Sequence, residues 1–88
     1  MTNTYENHIK TLQAHGARIV VPGSKDGIAL TTAFYRRAIQ SCIDMGCNAV
    51  TYEMALPGID EKMGLCIWKT GRVDSGSMER VMAVLEGD

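Results

Sequence analysis

"RIVVPGSKDGIALTT", residues Arg18 to Thr32, is the stretch whose reading decides the fold. The apolar run from Ala17 to Val21 is rich in β-branched residues and predicts a strand. It ends at Pro22-Gly23, passes through Ser24-Lys25-Asp26-Gly27, and gives way to a helical pattern. The Asp26-Gly27 pair has two readings. With Asp26 as N-cap, "DGIAL" starts the helix, and strand, helix and following strand form a β-α-β unit. Alternatively, Asp-Gly between "IVV" and "IAL" closes a hairpin, and Thr31 or Thr32 caps a shorter helix. Gly27, Ile28 and the two threonines are indifferent helix formers, which favours the hairpin. The shortness of the return strand favours the crossover.

The expectation adopted is the crossover. It makes the chain an α+β protein, an α/β-like sandwich of order α-β-α-β-β-α, with a small three-stranded mixed sheet covered by helices. The alternative is α-β-β-α-β-β-α with a four-stranded sheet. The other elements are the same in both. Residues Thr2 to His15 read as an amphipathic helix with Tyr5, Ile9 and Leu12 on one stripe, Thr2, Asn3 or Thr4 as cap, and Gly16 as stop. A longer helix, ending at Met45 before Gly46, carries two stripes. One is Leu30, Phe34, Ala38, Ser41/Cys42 and Met45; the other is Tyr35, Ile39 and Ile43. Together they make an apolar arc of more than ~180°, where one buried face needs about 100°. That helix therefore has to touch more than one layer, or an oligomer interface. "AVTYEM" and "MGLCIWKT" alternate as strands joined at Pro57-Gly58. Their pattern sets Val50, Tyr52, Met54, Met63, Leu65 and Ile67 on one face. "VDSGS" reads as a set of N-caps for a last helix from Met78 to Glu86, with Met78, Val81, Met82 and Leu85 on its apolar face.

At 88 residues the chain is expected to be a single domain, residues 1–88. Its 45% hydrophobic and 22% charged residues are ordinary globular composition. Nine basic against ten acidic residues leave a formal charge of −1, so nucleic acid is an unlikely partner. The N-terminus lacks the charged and apolar regions of a signal peptide, and no apolar run approaches the ~20 residues needed to span a bilayer. The expectation is a cytoplasmic protein without a membrane partner.

Few residues suggest chemistry. Three cysteines, Cys42, Cys47 and Cys66, fit neither a disulfide framework nor a zinc site and read as reduced, small hydrophobes. His8 and His15 lie two helical turns apart, ~10 Å, too far to share a metal unaided. Glu53 with Asp60 or Glu61 could form an acid–base pair, but no spacing requires it. Neither Cys42, on an apolar arc, nor Cys47, past a helix C-terminus, is activated as a nucleophile. No catalytic residue, metal or cofactor is expected.

Two binding surfaces remain. In the crossover reading, the loop Gly23, Ser24, Lys25 and Gly27 lies at a helix N-terminus, where backbone N–H groups and the dipole favour anions. It matches neither phosphate-loop nor dinucleotide fingerprints, and Asp26 opposes an anion there. The other surface is for protein. Arg36 and Arg37 stand on the polar edge of the long helix beside Tyr35, Trp68 falls on the second sheet face with Cys66, Thr51 and Glu53, and Met78 and Met82 could adapt to a partner. The preferred function is a non-enzymatic accessory or regulatory interaction domain, homodimeric and also binding another protein. Short, motif-free chains of this kind include accessory proteins of mobile elements. The alternative is a small-ligand module that takes a phosphorylated or carboxylate ligand at the Gly23–Gly27 loop.

Overall fold

The computed structural model describes residues 4–87. Three helices and five strands follow one another as α1 (Thr4–Ala14), β1 (Arg18–Ile19), β2 (Ile28–Ala29), α2 (Thr32–Met45), β3 (Ala49–Ala55), β4 (Met63–Trp68), β5 (Val73–Ser77) and α3 (Met78–Gly87). The strands form one sheet in the order β2-β1-β3-β4-β5. Every neighbouring pair is antiparallel. The α+β class holds. The three-stranded mixed sheet does not, and the four-stranded alternative falls one strand short.

Two segments account for the difference. Asp26-Gly27 leads into a hairpin, with Arg18 opposite Ala29 and Ile19 opposite Ile28. Gly27 has φ +68, and a side chain there would press on the Ile19 carbonyl oxygen, so the close approach of the two strands requires glycine. The guanidinium of Arg18 seals the turn by donating from Nε to the Asp26 carbonyl and from Nη2 to that of Gly27, the latter at 3.3 Å. The crossover exists nonetheless, one strand later. Because β2 and β3 are both antiparallel to β1, they run parallel to each other, and α2 connects them across the intervening strand. The second segment is "VDSGS", which is strand β5 and not a run of caps. Only Ser77 acts as a cap, its hydroxyl accepting from the Arg80 N–H at 3.3 Å.

Helix α2 begins where the hairpin reading puts it. Thr31 is the N-cap and accepts from the Phe34 N–H at 3.1 Å, and Gly46 closes the helix at φ 71. Helices α1 and α2 cover the first sheet face. Their Ile9, Tyr35 and Ala38 join Ile19, Met54, Leu65 and Ile67 in one core, together with Leu30 just before the α2 cap. Phe34 meets Tyr52 edge-to-face at 5.0 Å between ring centroids. The α2 arc is wider than this packing uses, and Ile43 (55%) and Met45 (70%) remain exposed.

Helix α3 crosses to the second face and packs on β4 and β5. Gly64 admits it: a Cβ at that position would stand 3.0 Å from both Met78 Sδ and Val81 Cβ. No helix among the described residues is long and apolar enough to cross a membrane.

Gly27 supplies a direct test of the hairpin. Gly27→Ala should lower unfolding stability by about 2–3 kcal/mol in urea titrations, from a left-handed backbone plus the contact with Ile19. Gly23 also has positive φ, +84, but faces open space, so Gly23→Ala should cost only about 1 kcal/mol. Equal losses for the two variants would contradict the described strand approach.

Candidate functional site

The second sheet face is the unfinished part of the fold. Register alternation puts Arg18 and Ala29 of the hairpin, Thr51, Glu53 and Ala55 of β3, and Gly64, Cys66 and Trp68 of β4 on this side. Helix α3 packs over the β4–β5 half. Over the β1–β3 half, Arg18, Ala29 and Ala55 are exposed, and Thr51 and Glu53 are half-buried. Val20, which extends β1 by donating its N–H to the Glu53 carbonyl at 2.8 Å, is 45% exposed. The result is a low shelf on which Arg18 and Glu53 stand among smaller side chains.

Trp68 bounds that shelf at the far end of β4. It is half-buried, and the guanidinium carbon of Arg72 lies 4.6 Å from the centroid of its ring system. Arg72 Nε also stands 3.2 Å from Asp74 Oδ2. This is an ion pair and not a hydrogen bond, since the buried Oδ2 accepts none. Trp68, Arg72 and Asp74 thus form a stacked, charged corner. The face assignment of Trp68 was readable from strand alternation. The Arg72 and Asp74 partners were not, because the β4–β5 hairpin that gathers them was itself read as a cap region.

The remaining interface candidates disperse. Tyr35 lies inside the fold, 2% exposed, with its hydroxyl donating to the Gly71 carbonyl at 2.5 Å. Arg36 points outward and pairs with Glu6 of α1 at 2.9 Å. An exposed pair of this kind contributes well under about 1 kcal/mol. Arg37 borders a shallow hollow of about 360 Å³ with Ile28 and Phe34. Met78 is half-buried against Gly64, and the Met82 side chain lies outside the described residues.

The Gly23–Gly27 loop loses the basis for an anion site. It joins β1 to β2, and the N-terminus of α2 begins only at Thr32. Its Ser24 N–H donates to the Val21 carbonyl and its Gly27 N–H to Ser24 Oγ, both at 3.1 Å. Lys25 and Arg18 do border a hollow of about 260 Å³ with Asp26. Arg18, however, is engaged with the loop carbonyls.

The two histidines act separately. His8 Nε2 shares a hydrogen bond with Ser75 Oγ at 2.8 Å, tying α1 to β5, and His15 Nδ1 donates to the Thr11 carbonyl at 2.8 Å. Among the described residues no three His, Cys, Asp or Glu side chains gather as a metal site. All three cysteines are free thiols. Burial, reinforced by Cys47, pushes the Cys42 thiol above its ordinary pKa. Burial does the same to Cys66, partly offset by a hydrogen bond with Thr51.

Comparison with known protein families, with curated proteins and with solved structures finds no match to this chain.

The thiol environments fix an order of reactivity. Cys42 and Cys66 are buried and Cys47 is not. At neutral pH, native protein should give one fast thiol with a disulfide reagent such as Ellman's, and Cys47→Ser should remove it. The other two should react only after denaturation. Fast modification of Cys66 in native protein would mean that the second face opens.

Proposed function

We propose that this protein is a non-enzymatic accessory module that works as a homodimer and binds another protein on the second sheet face. One observation carries the reading. Helix α3 packs on β4 and β5, and among the described residues no layer covers the shelf from Val20 and Ala55 to Trp68. On this face Ala29, Ala55, Val20 and Thr51 leave low ground between the longer side chains of Arg18 and Glu53. A helix laid there beside α3 would complete the layer, because two-layer packing needs apolar area on both sides.

Trp68 is the natural anchor. Tryptophan is enriched among interface hot spots, and this one is already oriented by the Arg72 guanidinium on its ring, which lowers the entropy lost on binding. Arg18 and Glu53 give the shelf one charge of each sign, so a partner should present polar groups at its rim and apolar groups at its centre.

The test uses the tagged full chain to capture protein from the native host. Ala55→Arg places a large charge on the exposed shelf and should reduce recovery of the partner at least about tenfold without altering the circular dichroism spectrum or melting temperature. Trp68→Ala should reduce it similarly. A partner recovered equally by both variants would overturn the assignment of this face. A thermal shift with inorganic phosphate that Lys25→Ala abolishes would instead support the small-ligand reading of the loop.

A further inference from the structure

The sheet has two edges, and they are guarded differently. At the β2 edge the strand is two residues long, which leaves little to pair with. The β5 edge is five residues long and carries "VDSGS", with no proline, no lysine and no bulky side chain. The Trp68 N–H donates to the Arg72 carbonyl at 2.9 Å, which sets the hydrogen-bonding alternation along β5. Arg72, Asp74 and Gly76 turn their backbone groups toward β4, so Val73, Ser75 and Ser77 turn theirs outward.

We infer that the β5 edge is the homodimer interface: β5 of a second copy pairs antiparallel with it about a two-fold axis at Ser75, and Asp74 of each copy meets Arg80 of the other. This names the interface of the homodimer proposed above and rests on that reading. The parity of the strand permits it. An axis at Ser75 sets Ser75 opposite Ser75 and Val73 opposite Ser77 of the second copy, and all of these residues face outward. It is also the symmetric register that uses the whole strand.

Charge supports the same register. Asp74 then faces Gly76 of the second copy in a non-hydrogen-bonded pair, where the Cα atoms approach to about 4.5 Å. Gly76 has no side chain, and the space of its absent Cβ lies 3.3 Å from Cδ of Arg80. The carboxylate of one copy therefore meets the guanidinium of the other, twice per dimer. Within one copy, Asp74 and Arg80 border the same hollow of about 320 Å³ at this edge. Asp74 is already paired with Arg72 of its own copy at 3.2 Å, so Arg80 of the second copy would be its second cation; no ion pair joins Asp74 to Arg80 within one copy among the described residues, and Asp74 Oδ2 accepts no hydrogen bond. Tyr5, 41% exposed on the same hollow, adds apolar surface that a second α1 would cover.

Sedimentation equilibrium of the full chain is the decisive measurement. The wild type should be a dimer at micromolar concentration. Arg80→Glu should weaken association at least about tenfold, by setting like charges across the axis. Asp74→Asn, which keeps the side-chain shape beside Arg72, should weaken association in the same direction as Arg80→Glu. Ser75→Pro removes an outward N–H without breaking the β4 ladder, and it should also yield monomer with an unchanged far-ultraviolet spectrum. A dimer indifferent to both Arg80→Glu and Ser75→Pro would overturn the β5 interface and leave the homodimer standing. A wild-type monomer at hundreds of micromolar would overturn both.

Discussion

The close approach of Gly27 to the Ile19 carbonyl is the constraint on which the rest of the fold depends. Only a residue without a side chain, in a left-handed conformation, lets β2 come back against β1. Once the chain has reversed there, Leu30 enters the core and donates its N–H to the Ala17 carbonyl at 3.1 Å, and Thr31 is in place to cap α2. Helix α2 then has to return across β1 before β3 can join. That path lays Tyr35, Ala38 and Cys42 on the β3–β4 hairpin and ties the helix to Gly71 at the β4–β5 connection. A residue with a Cβ at position 27 would disturb the hairpin, the cap and the seating of α2 together.

The two faces of the sheet are covered differently by the helices of the described residues. Helices α1 and α2 close the first face, and the core there is continuous from Ile9 to Val73. Among the described residues, α3 is the helix that lies on the second. Since it follows β5 without a linker, it folds back over its own strand and over β4. Gly64 and Gly76 lie beneath it, and both positions admit side chains of α3 (Met78 and Val81 at one, Arg80 at the other). The shelf over β1–β3 stays open because of where the third helix starts, and its small side chains suit a covering layer supplied from outside.

Much of this was legible in the sequence where pattern and packing agree. The β3–β4 alternation placed Val50, Tyr52 and Met54 opposite Thr51 and Glu53, and it placed Trp68 with Cys66 on the second face, as the register has it. The β5 strand was not legible. Val-Asp-Ser-Gly-Ser has little intrinsic strand preference, and it is extended because β4 offers a ladder whose other edge is already filled by β3. Missing β5 hid Arg72, Asp74 and Ser75, and with them the whole edge. The Asp26-Gly27 choice failed for a subtler reason. The hairpin reading is the one realised, at β1–β2, and Asp26 does not cap a helix; the crossover that does occur joins β2 to β3 with β1 between them, and no local pattern reports that inserted strand. Tyr35 was placed at the surface because a helical arc shows its width and not which flank a neighbouring layer will cover.

The open shelf and the β5 edge are separate surfaces, and their relation gives the proposed dimer a function. A two-fold axis through paired β5 strands stands perpendicular to the sheet, so each copy keeps its second face on the same side. Pairing at the edge would leave both shelves uncovered and turn them in one direction, with α3 and its copy between them. Two weak sites held in fixed geometry bind a repeated or dimeric partner far more tightly than either alone, because the second contact forms at the high effective concentration set by the first. A small domain with one modest shelf, anchored chiefly by Trp68, gains affinity in this way without a larger core. On that proposal the partner covers the shelf and a second copy covers the β5 edge, so each open surface has one occupant.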